Sequence, residues 1–107
     1  MTKATVVMTI AGSDSGGGAG IQADIKTISS LGLHCTCAIT SVTSQNTQGV
    51  LSAFDLPLEV IRNQIDAVCN DMNIQWAKSG MLSSTEITST VAEMVSNYGL
   101  KLVIDPV

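Results

Sequence analysis

The sequence predicts an α/β fold, a parallel sheet with flanking helices in Rossmann-like three-layer order, and three observations carry that prediction. Short β-branched apolar runs alternate with stretches whose apolar residues recur every three or four positions, the pattern of strands joined by crossover helices. The first run, Thr5 to Ile10, is apolar almost without interruption, as a strand buried on both faces must be. Aromatic residues make up only 3% of the 107 residues, so the core has to be assembled from Ile, Val, Leu, Met and Ala, which suits α/β layers better than an aromatic-rich sandwich.

Taken in order, the strand Thr5 to Ile10 ends in a glycine-rich loop, and a helix follows from about Gly20 to Leu31. Ile21, Ile25, Ile28 and Leu31 share one face of that helix, and Gly32 is placed for a left-handed cap. Cys37 to Val42 reads as the second strand, Thr43 to Gly49 as a polar loop, and Val50 to Phe54 as a short strand or edge piece. Pro57 falls in the first turn of the next helix, whose Leu58, Ile61, Ile65, Val68 and Met72 line one face. Ile74 to Lys78 is a further strand. Ser83 with Glu86 three residues on has the form of a capping box, opening a helix that buries Ile87, Val91, Met94 and Val95 and closes at Gly99. Leu100 to Ile104 is the last strand, and right-handed crossovers between parallel strands are expected. A doubly wound sheet normally continues with another helix after such a strand, so the sheet is expected to be incomplete, with residues 1–107 forming part of one domain.

Composition excludes several classes of function. The net charge is −4, and the five basic residues Lys3, Lys26, Arg62, Lys78 and Lys101 are scattered, leaving no basic patch to follow a nucleic acid. No apolar run approaches the roughly 20 residues that span a bilayer, and the N-terminus has no secretory pattern, so no membrane partner and a cytoplasmic location are expected. Cys35, Cys37 and Cys69 form an odd set with no disulfide framework, which suits a reducing compartment. His34-Cys35-Thr36-Cys37 lacks the two separated ligand pairs of structural zinc; the two thiols share one face of a strand as small buried residues.

Chemistry concentrates between Thr9 and Lys26, where Gly12, Gly16, Gly17, Gly18 and Gly20 accompany Asp14 and Asp24. Such a run costs backbone entropy, and close approach of a ligand is the expected cause. The dinucleotide fingerprint fails, because Gly16 and Gly18 are followed by Ile21 where its third glycine belongs. The nucleoside triphosphate loop fails as well, because Gly18 stands where its lysine belongs after Gly12 and Gly17. The amides opening the helix at Gly20 are expected to face whatever lies beyond the strand. Asp24 falls on the apolar face of that helix and needs a partner, either backbone amides of the glycine loop or a polar ligand group. Ligands of open parallel sheets bind beyond the carboxyl ends of the strands, here Gly12 to Asp14, Thr43 to Gln45, Ser79 to Met81 and Asp105 to Val107.

Those residues carry a resemblance. Thr-Ile-Ala-Gly-Ser-Asp-Ser-Gly-Gly-Gly-Ala-Gly-Ile-Gln-Ala-Asp-Ile-Lys-Thr from Thr9, then Gln45 to Val50, Lys78 to Leu82, and Asp105 to Val107, resemble in order the segments of the hydroxymethylpyrimidine and phosphomethylpyrimidine kinases of thiamine biosynthesis, in the ribokinase-like superfamily. The resemblance implies an ATP-dependent, magnesium-dependent (Mg2+) kinase whose substrate is an aminopyrimidine bearing a hydroxymethyl group. It also implies a homo-oligomer when full length. Gln45 would pair with the ring through its amide, Gly12 would let the ring lie against bare backbone, and Asp24 would accept from an amino or hydroxyl group. Met81 and Val107 would cover the ring faces or else belong to the core; Asn46 would orient its loop or touch the ligand. Asp105 would sit near magnesium and the transferred phosphate, or cap a helix. The ATP site and the catalytic residue of the family lie in its later part, so the chain alone is expected to be an inactive fragment carrying the pyrimidine pocket. Alternatives are a pyridoxal or pyridoxine kinase of the same superfamily and a non-catalytic pyrimidine-binding module.

Overall fold

The computed structural model describes residues 5–105. Its elements are β1 (Val6–Asp14), α1 (Gly20–Ser30), β2 (His34–Asn46), β3 (Gly49–Asp55), α2 (Leu58–Cys69), β4 (Trp76–Ser79), α3 (Thr85–Asn97) and β5 (Lys101–Ile104). They build one sheet of order β3-β2-β1-β4-β5. β1 pairs in parallel with β2 and β4, and β4 with β5, whereas β3 runs antiparallel to β2.

β3 adds an antiparallel edge to the expected parallel sheet. Thr43 to Asn46, expected as loop, continue β2, and the chain reverses over Thr47 and Gln48 to bring Gly49 opposite Asn46. Asn46 helps to hold that reversal, its side-chain oxygen accepting from the Gln48 amide at 2.8 Å. Thr43, Ser44, Gln45 and Asn46 are all polar on a hairpin arm without an apolar face, and this is why the segment reads as a loop.

The two faces of the sheet are covered differently. Met8 and Ile10 of β1, Ala38 of β2 and Ala77 of β4 meet Ile61 and Ile65 of α2 and Ile87, Val91 and Met94 of α3 in the main core. The alternate residues face α1, which buries Ile21 against the sheet. Leu31, expected on the buried stripe, is exposed; α1 ends at Ser30, and Gly32 takes the left-handed cap with φ 81°. Gly99 does the same after α3, with φ 63°.

α3 also corrects its expected start. Ser84, not Ser83, caps it, accepting from the Ile87 amide at 3.1 Å, while the Ser83 hydroxyl donates to Asp55 at 2.7 Å. The one-residue shift puts Glu86 out of capping-box register.

Candidate functional site

β1 feeds α1 toward β2 on one side of the sheet, and β4 feeds α3 toward β5 on the other. The carboxyl ends of β1 and β4 therefore border the crevice where an open sheet receives ligands. A cleft of about 610 Å³ opens there. Gly12, Asp24, Gln45, Met81 and Asp105 all line it, so four distant segments do meet at one rim. Val107 lies outside the described residues.

The glycine loop holds its own shape. β1 extends past Ile10 to Asp14 through a register shift between Ala11 and Ser13, with Gly12 at the irregularity. The buried Asp14 carboxylate then accepts from the amides of Gly16 at 2.8 Å, Gly18 at 3.0 Å and Ala19 at 2.9 Å. Gln22 closes the other side, accepting from the Asp14 amide at 2.8 Å and donating to the Ser13 hydroxyl at 2.7 Å. Asp14 thus takes the loop amides that lead up to the helix, not those of its first turn from Gly20. Glycine is required at position 20 for shape: φ is 60°, and a Cβ would lie 2.3 Å from the Gly12 carbonyl oxygen.

Ser15 latches the loop to β2. Its hydroxyl accepts from the Gln45 amide at 2.7 Å and donates to the Gln45 carbonyl at 2.6 Å. The Gln45 side-chain oxygen accepts from the Thr43 hydroxyl at 3.1 Å, and that hydroxyl also reaches the Ser13 carbonyl at 2.8 Å. One hydroxyl proton divides between the two, so the Gln45 amide keeps acceptor capacity together with both of its N–H donors.

Within the chain, Asp24 is partnered by side chains and not by the amides of the glycine loop. Its carboxylate pairs with the Lys78 ammonium, at 3.0 Å to Oδ1 and 2.9 Å to Oδ2, and accepts from the Thr9 hydroxyl at 2.6 Å. Lys78 also lies 3.9 Å from Asp105 Oδ2. Met81 is 68% exposed at the lip, which places it outside the core. Among the described residues, no group of three or more His, Cys, Asp or Glu gathers to hold a metal. Cys35 and Cys37 lie near Asp24, and burial first, then the Cys37 thiol and the Asp24 charge, push the Cys35 thiol above its ordinary pKa.

Lys78 and Asp14 are cleft residues that sequence reasoning did not assign. Lys78 had a visible signal, a cation at the end of an apolar strand; Asp14 had one too, a short carboxylate directly before a run of amides.

The family signature described as "Phosphomethylpyrimidine kinase" matches residues 14–107. The chain belongs to the phosphomethylpyrimidine kinase family. The hydroxymethylpyrimidine/phosphomethylpyrimidine kinase of Streptomyces coelicolor is 51% identical over 102 residues, 95% of this chain and 38% of that protein. The chain therefore spans well under half the length of the family relatives it matches. A crystal structure of phosphomethylpyrimidine kinase from Clostridium difficile superposes with a TM-score of 0.93 at 48% identity, over 96% of this chain and 45% of that one. Pyridoxal kinase from Staphylococcus aureus, in complex with AMP-PCP and pyridoxal, superposes with a TM-score of 0.86 at 30% identity, over 99% of this chain and 40% of that one. The fold is thus part of the ribokinase-like kinase architecture, and no helix among the described residues is long and apolar enough to cross a membrane.

Proposed function

We propose that the full-length protein carrying this chain transfers the γ-phosphoryl group of ATP to the hydroxymethyl group of an aminopyrimidine, and then to the monophosphate so formed, with this chain supplying the acceptor side of the cleft. In each step the acceptor oxygen bonds to the γ-phosphorus, the bond to the β,γ-bridging oxygen breaks, and ADP leaves. The hydroxyl proton passes to a base expected in the later part of the family domain.

The observation that carries this reading is the convergence of Gly12, Asp24, Gln45 and Met81 on one cleft in a member of this family. The free N–H donors and remaining acceptor capacity of Gln45 match a ring nitrogen and its neighbouring amino group. Bare backbone at Gly12 and the apolar Met81 suit a flat heterocycle. Magnesium, supplying charge neutralisation to the phosphates, would take one carboxylate from Asp105 and its other ligands from phosphate oxygens and water.

The test is phosphorylation of the hydroxymethylpyrimidine by the full-length protein with ATP, followed by product mass, alongside calorimetric binding of the pyrimidine to Gln45→Ala. The variant should weaken binding by about 1–3 kcal/mol, the cost of leaving ligand polar groups unpaired. A higher kcat/KM for pyridoxal than for the pyrimidine would replace this reading with a pyridoxal kinase. Unchanged affinity in Gln45→Ala would remove that residue from the site.

A further inference from the structure

We propose that Lys78 is the positioning residue of the acceptor cleft: its ammonium pins the Asp24 carboxylate so that the one acceptor site left on it meets the ligand. The inference rests on the pyrimidine-binding reading above and deepens it.

Lys78 sits on β4 beside Thr9 of β1 and Val103 of β5 in one lateral row. Residues in such a row project to the same face of the sheet. Asp24 descends onto this row from α1 and is held from two directions, by Lys78 on both oxygens and by Thr9 on Oδ2. A carboxylate offers about four acceptor positions. Two on Oδ2 and one on Oδ1 are taken, which leaves a single position on Oδ1. An acceptor fixed before binding spares the ligand the cost of ordering it.

The surroundings are built for this lysine. Its side chain is 26% exposed and that of Asp24 is 16% exposed, so neither is a freely solvated surface charge. A Cβ on Gly80 would lie 3.1 Å from the Ala11 Cβ, so the glycine after Ser79 lets the end of β4 lie close to β1 beside the lysine. Among the described residues lining the cleft, Lys78 is the one cation, against Asp14, Asp24 and Asp105. Asp14 has its own amide partners; Asp24 and Asp105 share this ammonium within 4 Å.

A lysine that merely tied α1 to the sheet would change stability and leave ligand affinity alone. The experiment is therefore calorimetric titration of the hydroxymethylpyrimidine into the full-length protein and its Lys78→Met, Lys78→Arg, Asp24→Asn and Lys78→Met/Asp24→Asn variants, with thermal melts of each. Lys78→Met should raise the Kd about tenfold or more, since the ligand loses a bond to an oriented charged group. Lys78→Arg, which keeps the cation, should recover most of that loss. The double variant should lose no more than the worse single variant, because both substitutions remove one interacting unit. Where Lys78→Met does not fold, Lys78→Gln/Asp24→Asn leaves no uncompensated charge and should show the same weakened binding at near-normal Tm. An unchanged Kd in Lys78→Met or in that neutral pair, or losses that multiply in the double variant, would overturn the proposal. A wild-type protein that binds no pyrimidine sinks the functional reading itself, whereas wild-type binding that survives loss of Lys78 sinks only this inference.

Discussion

Gly20→Ala tests whether the glycine loop is shaped by contact or by dihedral freedom alone. Gly20, Gly32 and Gly99 all have positive φ, at 60°, 81° and 63°. At Gly32 and Gly99 an added Cβ meets nothing within 4 Å, whereas at Gly20 it would lie 2.3 Å from the Gly12 oxygen and 3.2 Å from its carbon. A left-handed residue with a side chain costs about 1–2 kcal/mol, offset by up to roughly 1 kcal/mol from the stiffer unfolded chain. Gly32→Ala should therefore lose about 1 kcal/mol or less. Gly20→Ala adds a clash with the backbone of β1, which is held in the sheet on both sides, and overpacking of that kind costs about 1–3 kcal/mol more. Urea unfolding of the full-length protein should show a midpoint for Gly20→Ala shifted about two to four times as far as for Gly32→Ala, at unchanged slope. Equal shifts would refute the steric argument. Gly20 also lines the cleft, so the same variant should weaken pyrimidine binding while Gly32→Ala leaves it intact.

Two other perturbations follow from the hydrogen bonds. Asp14→Ala strips the acceptor from three amides; with water replacing part of the loss, stability should fall by about 2 kcal/mol, and hydrogen exchange at Gly16, Gly18 and Ala19 should accelerate. Unchanged exchange there would show that Asp14 does not order the loop. Arg62 donates to Glu93 at 3.1 and 3.2 Å between α2 and α3 and holds the Glu93 carboxyl below its ordinary pKa. A depressed carboxyl contributes stability above its unfolded pKa and loses it as pH falls through the folded value. Arg62→Ala should accordingly lower Tm slightly at neutral pH, where the exposed pair contributes little, and the two profiles should converge as pH falls through and below the ordinary glutamate range, so that the variant's acid fall is the flatter one. A parallel acid profile in wild type and variant would contradict this.

Much of the architecture was legible because burial repeats at fixed periods. The α2 and α3 stripes of Ile61, Ile65, Ile87 and Val91 are core residues at the expected spacing, and the helix stops at Gly32 and Gly99 follow from a backbone that only glycine adopts cheaply. The hairpin was not legible as strand, because Thr43, Ser44, Gln45 and Asn46 are polar and the signal for a solvated strand is weak. The capping of α3 slipped by one residue because Ser83 and Ser84 are chemically identical, and only Asp55, brought near by the end of β3, decides between them. Asp24 was read correctly as a carboxylate in need of a partner. Its partner, Lys78, lies 54 residues further on, and only the pairing of β1 with β4 puts them together.

The partnering of the two carboxylates settles what kind of pocket the glycine loop helps to make. Amides at a helix start usually offer positive charge to an anion. Here Asp14, a carboxylate of the chain itself, takes the loop amides of Gly16, Gly18 and Ala19 just ahead of the helix, and the other charges among the described cleft residues are Asp24 and Asp105 against Lys78. The loop therefore contributes contour, close backbone at Gly12 and a latch through Ser15 onto Gln45. A neutral ring rich in donors is well matched to such a wall. Under the proposed function, a phosphorylated acceptor would approach against net negative charge on the described cleft residues, and its phosphate would be balanced by magnesium or by further cations. Under the proposed function, this chain would supply shape recognition of the acceptor, and charge stabilisation of the transferred phosphoryl group would fall to the rest of the domain.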